Sequence, residues 1–212
     1  MAVIGMDLDN TMINFDRAFH AGAVARGWLA IDCPVSRIAV RTALRAQPAG
    51  EARWTELQGE VYGQRILREA TVCDGLPAFW HWAVAARHRL VIISHKSVRP
   101  ALGPAFPLRD AARTWLAQQS WFHKAPPAQL QFADTIDEKV ELIRTARCDL
   151  FIDDRLDVLC HPQFPHGRTT QPIWYTADPG HHCGAYRTNA IISFSHWQQI
   201  ADFAATRWAV AS

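Results

Sequence analysis

Short apolar runs recurring between helix-forming stretches constrain this chain most: Val3 to Met6, Leu90 to Ile93, Leu150 to Ile152, Ile173 to Tyr175 and Ala190 to Phe194. They are near-continuous rather than alternating, which is how parallel strands read when both faces of their sheet are covered. Strands separated by helices specify an α/β fold with helices on both faces of a parallel sheet. Gln129 to Ala133 is a weaker candidate beside the five.

More than eighty residues separate the first two strands, far beyond one crossover helix, so that connection holds structure of its own. Phe15 to Trp28, Ser36 to Arg45 and Glu51 to Ala70 are rich in Ala, Arg, Leu, Glu and Gln, with breaks at Pro34 and at Gln47-Pro48-Ala49-Gly50. They predict three helices in an inserted subdomain. Asp74-Gly75 marks the return to the sheet through a crossover helix, Leu76 to Arg87. The prolines at 100, 104 and 107 around Gly103 predict a loop over Val98 to Leu108. Thr135-Ile136-Asp137-Glu138 has capping-box spacing and predicts a helix from Ile136 to Arg147, with Lys139 in its first turn.

A chain of 212 residues, 49% hydrophobic and 20% charged, supports an ordinary globular core. The formal net charge of +2 gives no general reason for a nucleic-acid or anionic-membrane partner, and neither is expected. Five widely spaced cysteines without a C-x-x-C pair read as a reducing, cytoplasmic setting. No window approaches 18 uninterrupted apolar residues, and the first seven residues do not read as a signal peptide. The tryptophans sit mostly among apolar neighbours and read as packing. Nothing fixes the oligomeric state.

Three of the apolar runs stop on polar residues of complementary type: Asp7 and Asp9, then Ser94-His95-Lys96, then Asp153-Asp154. In a parallel sheet those carboxyl ends converge on the edge where α/β folds place their ligand crevice. Asp7 and Asp9 project the same way if the extended conformation persists through both. Two anions 4 Å apart repel by about 1 kcal/mol in water and about 4 near a protein surface, so the pair calls for a cation.

The order of these motifs resembles that of the haloacid dehalogenase-like hydrolase superfamily. Asp7-Leu8-Asp9-Asn10-Thr11 matches its D-x-D-x-T, Ser94 its hydroxyl after the second strand, Lys139 its lysine and Asp153-Asp154 its late acidic pair. The resemblance implies a Rossmann-like core, residues 1–14 and 74–212, with a small helical cap at 15–73. By the same resemblance Asp7 is the nucleophile and Asp9 the general acid. Mg²⁺ is then held by Asp7, Asp9 through its backbone carbonyl, and Asp154 or Asp153, while Ser94, His95 and Lys139 bind the phosphate. The superfamily's true dehalogenases expel halide, which needs no proton, and lack an acid at the second position. Asp9 therefore favours phosphoryl transfer from a small phosphorylated metabolite. A phosphomutase or phosphotransferase on the same site, or a catalytically silent metal-binding scaffold, are the alternatives.

Departures from the superfamily's commonest pattern are the double-Asp form Asp153-Asp154-Arg155, which leaves the inner metal ligand open, and Lys96, which competes with Lys139 for the phosphate. Cys160-His161 and His181-His182-Cys183 have zinc-ligand chemistry without paired-ligand spacing, so no zinc site is expected. Arg37, Arg41 and Arg45 share a helix face, either solvated or meeting an anionic substrate.

Overall fold

The computed structural model describes residues 1–166, 170–176 and 191–209. In chain order the elements are β1 (Val3–Met6), β2 (Ile13–Asn14), α1 (Asp16–Ala25), α2 (Arg37–Arg45), α3 (Gly50–Glu60), a π-helical turn (Val61–Arg65), α4 (Ile66–Glu69), β3 (Thr71–Val72), α5 (Leu76–Ala85) and β4 (Arg89–His95). Then come α6 (Leu108–Ala117), α7 (Ser120–Lys124), β5 (Gln129–Ala133), α8 (Ile136–Ala146), β6 (Leu150–Asp153), α9 (Leu156–Leu159), β7 (Gln171–Tyr175), β8 (Ile192–Phe194) and α10 (Trp197–Ala209). None of the described helices is long and apolar enough to cross a membrane.

The expected strands form one parallel sheet in the order β5-β4-β1-β6-β7-β8, with the weaker candidate Gln129–Ala133 as an edge. Numbered by their own succession they run 3-2-1-4-5-6, the Rossmann order, in which the crevice opens beside the first strand where the winding reverses. β1 lies between β4 and β6, with Met6 level with Ile92 on one side and Ile152 on the other. Gly5 leaves room for the layer behind it, since a Cβ there would stand 2.6 Å from Cys148 Sγ and from the Phe151 ring. Val91, Ile93, Val140, Ile143, Phe151, Val158 and Leu159 fill one buried core cluster. Elsewhere in the core the rings of Phe79 in α5 and Trp197 in α10 meet at 4.8 Å.

The chain divides into two compact units, one of Met1–Met12, Val72–His95 and Trp121–Ser212, the other of Ile13–Thr71 and Lys96–Ser120. The second is helical and centres on aromatic side chains: Phe19 stacks on Trp54 at 4.7 Å, and Tyr62 meets Phe15 edge-on at 5.0 Å. Ser36 caps α2 by accepting from Ala39 N. The long helix expected over 51–70 is instead interrupted by the π turn at Val61–Arg65. Lys96–Ser120 joins this unit because the proline-rich loop lies close against α3. A Cβ on Gly59 would stand 2.7 Å from Pro100 Cβ, and Trp115 of α6 is buried with its indole N–H donating to Ala70 O.

Candidate functional site

Adjacent strands β4, β1 and β6 bring the expected residues to one edge of the sheet. Asp7 follows β1 and keeps the ladder, its N–H donating to Ile152 O at 2.8 Å, which sets it level with Asp153 at the end of β6. Extended structure stops there. Leu8 bends, and Asn10–Met12 turn, with Asn10 at φ 61° and Met12 N donating to Leu8 O at 3.0 Å. The side chains of Asp7 and Asp9 therefore do not alternate along one straight strand. Asn takes this left-handed conformation at lower cost than most residues, which explains its place in the motif.

Thr11, fully buried, ties the turn to the rest of the site. Its Oγ1 accepts the N–H of Asp154 at 3.1 Å, and its carbonyl accepts the indole N–H of Trp197 at 3.0 Å. No signal beyond its place in the first motif pointed to this role.

Lys139 reaches the acids from α8, whose start is set as the capping-box spacing required: Thr135 Oγ1 accepts from Glu138 N at 3.1 Å. The reciprocal bond goes one residue further back, from Asp134 N to Glu138 Oε2. Lys139 Nζ donates to Asp7 Oδ1 at 2.6 Å and lies 2.6 Å from Asp153 Oδ2. All three side chains are buried, Lys139 and Asp153 completely. One ammonium between two buried carboxylates leaves a surplus negative charge. The lysine's pKa is accordingly raised by Asp153 and Asp7 against the opposing effect of burial. The surplus falls on Asp153, whose burial and proximity to Asp7 push its pKa up to about 7.

A hard divalent cation fits this imbalance. Among the described residues, carboxylate oxygens of Asp7, Asp153 and Asp154 lie within 4.8 Å of one another, an all-oxygen donor set of the kind Mg²⁺ takes. Asp153 is also held by the backbone, its Oδ1 accepting from Arg155 N at 3.0 Å. The Asp9 carboxylate is not in this group.

Ser94 lies within β4, fully buried, and its hydroxyl makes no hydrogen bond among the described residues. A buried hydroxyl without a partner costs stability. Lys96, the competing lysine, lies in the helical unit with its ammonium 4.7 Å from the centre of the Tyr62 ring.

His95 ends β4. Its Nε2 faces the carbonyl of Asp134 at 3.1 Å and its Nδ1 faces Arg155 Nη1 at 3.0 Å. A carbonyl only accepts and a guanidinium only donates, so the two contacts use Nε2 as donor and Nδ1 as acceptor. The phosphate-binding role expected of His95 would require one of these two contacts to be given up. Arg155, which the sequence showed only as the residue after an acid pair, is its partner.

His161 pairs with Asp137 at 2.8 Å, while His181, His182 and Cys183, at which no zinc site is expected, lie outside the described residues. Arg45 pairs with Glu51 at 2.5 Å, and Arg41 has a lowered pKa from burial and from its neighbours Arg37 and Arg45.

No protein-family model and no curated protein matches the sequence. Solved structures do match. A haloacid dehalogenase-like family hydrolase from Streptococcus pneumoniae superposes with a TM-score of 0.58 at 14% identity, covering 96% of this chain and 98% of that one. A HAD-superfamily hydrolase from Ehrlichia chaffeensis gives 0.55 at 16% identity, covering 97% and 96%. A predicted phosphoglycolate phosphatase from Haemophilus somnus 129pt gives 0.55 at 10% identity, covering 96% and 98%. At these identities the likeness is one of fold: the chain has the Rossmann-like fold of the haloacid dehalogenase-like hydrolases over nearly its whole length.

Proposed function

We propose that the protein is a Mg²⁺-dependent phosphatase that hydrolyses a small soluble phosphomonoester through an aspartyl-phosphate. The observation that carries this reading is the Lys139 ammonium lodged between Asp7 and Asp153, beside a strand whose Ser94 hydroxyl is buried without a protein partner. In this reading an Asp7 carboxylate oxygen bonds to phosphorus as the ester P–O bond breaks, and Asp9 gives its proton to the departing oxygen. Asp9 then takes a proton from the water that attacks the aspartyl-phosphate, freeing phosphate and restoring Asp7. Ser94 donates to a phosphate oxygen, and Lys139 offsets the charge gathered there.

Asp7, the Asp9 carbonyl and Asp154 would hold Mg²⁺. Asp154 is preferred to Asp153 as the inner ligand, because both Asp153 oxygens are already engaged, by Arg155 N and by Lys139. When bound, the ion would neutralise and orient the phosphate. Segment 15–73 is the proposed cap that selects the substrate, and the cysteines at 33, 73, 148 and 160, which form no disulfide among the described residues, suit a reducing cytoplasm. The presence of Asp9, Ser94 and Lys139 together favours turnover over a silent scaffold.

A screen over nucleotides, sugar phosphates and phospho-amino acids, with and without Mg²⁺, tests the reading. Mg²⁺-dependent release of phosphate is expected. Absence of phosphate release from the whole panel would overturn it.

A further inference from the structure

Arg155 stands directly after the acid pair, and its guanidinium is held from two sides. Nε donates to Asp157 Oδ1 at 3.0 Å and Nη2 to Asp157 Oδ2 at 2.5 Å, a two-point fork. Nη1 donates to His95 Nδ1 at 3.0 Å, and His95 is held in turn by the carbonyl of Asp134 at 3.1 Å. Arg155, Asp134 and His95 belong to the chain just after, or at the ends of, β6, β5 and β4, so one bonded series joins three strand ends around the acids. An ion pair this exposed, 39% for Arg155 and 43% for Asp157, adds little to stability. What the arrangement does accomplish is to fix a flexible side chain in one orientation before any ligand arrives.

A guanidinium has five N–H donors. Three are engaged here by Asp157 and His95, which leaves two among the described residues. A preset guanidinium suits planar or tetrahedral oxygen anions, which it binds through paired donors. Its surroundings sharpen the case: the nearby charges of Asp153 and Asp154 would repel an anionic substituent that had no cation to meet it.

We propose that Arg155 is a specificity-determining residue, receiving through its two remaining N–H groups a second anionic oxygen group, carboxylate or phosphate, carried a few bonds from the scissile ester. His95 is the positioning residue that holds it. This rests on the phosphatase reading above and adds the substrate class: a monoester with a second anion close to the first.

Phosphonoacetate and methylphosphonate test it in the full-length protein with Mg²⁺, by calorimetry. Both present a phosphonate that cannot be hydrolysed, and only the first carries a carboxylate. The wild-type protein is expected to bind phosphonoacetate about tenfold or more tightly than methylphosphonate. Arg155→Gln should abolish that preference and change methylphosphonate affinity by less than about twofold, Arg155→Lys should retain part of it, and His95→Leu should weaken it in the same selective way. A wild-type protein without the preference overturns the proposal, as does a preference that survives Arg155→Gln. Equal loss for both ligands in well-folded Arg155→Gln and Arg155→Lys overturns it too, since it would reduce Arg155 to a support for Asp153. If the preference stands while no phosphate ester is turned over, the phosphatase reading alone fails.

Discussion

The two ends of the parallel sheet both carry charged side chains, yet they employ them differently. At the amino end the main contacts serve the backbone, although Arg89 Nε is buried without a partner among the described residues: Asp149 Oδ2 accepts the N–H of Val3 at 2.7 Å, His88 Nδ1 accepts that of Ala2 at 3.2 Å, and Arg89 Nη2 donates to Ala146 O at 3.3 Å. These groups satisfy the loose ends of strands and helices, as buried or half-buried backbone requires. At the carboxyl end Asp7, Asp153 and Lys139 face one another, and Ser94 faces no partner among the described residues. The first arrangement lowers the free energy of the fold, whereas the second accepts desolvated charge that an apolar core would avoid. Under the proposed function, unfavourable burial at one edge and capping at the other separate the part of the sheet given to chemistry from the part given to stability.

That contrast can be broken most decisively at Asp7. Asp7→Asn should lower turnover of an aryl phosphate by at least about 10⁴-fold while circular dichroism stays unchanged. Near-normal turnover would remove Asp7 from the chemistry.

Lys139→Met should be the most destabilising change at this edge, at about 3–5 kcal/mol, because it leaves two buried carboxylates facing each other. Urea unfolding measures it, and adding Asp153→Asn should recover part of the loss. A stable single variant would mean the acids do not need the lysine.

Ser94→Ala should divide the two properties. Removing a phosphate donor should lower kcat by about 10²–10³-fold. Because the hydroxyl has no partner to lose, stability should hold or rise slightly. A destabilised protein with full activity would reverse the assignment.

At the other end, Asp149→Ala should cost about 1.5–3 kcal/mol through the Val3 N–H and leave turnover within about twofold. The smallest effect is at His88, whose pKa is lowered by burial from an ordinary 6.5. The unfolded chain binds this proton more readily than the folded one, so stability should fall as pH drops below about 6.5. His88→Gln should remove that part of the slope, and identical pH profiles for the two proteins would count against it.

The strands were legible because buried parallel strands concentrate apolar residues locally, and even the thin signal of Gln129–Ala133 sufficed. The start of α8, with Lys139 in its first turn, was legible through a capping box four residues long, while the choice of that lysine came from the resemblance. Less could be read where the decisive partner is distant. His95 and Arg155 are 60 positions apart, and nothing in either neighbourhood says that one holds the other. The turn after Asp7 was hidden because Asp-Asn serves a strand end and a turn equally well. Likewise, the interruption at Val61–Arg65 falls inside a stretch of good helix formers, and composition does not register a change of helical winding.

Thr11 has a consequence in time as well as in space. Its carbonyl is held by an indole 186 positions further along the chain, so the loop bearing the first acids lacks this anchor until Trp197 has been made. At about 5–20 residues per second, the wait on the ribosome is roughly 10 to 40 s. Over that interval the nascent protein carries the acidic loop without this fastening, which α10 supplies to Thr11.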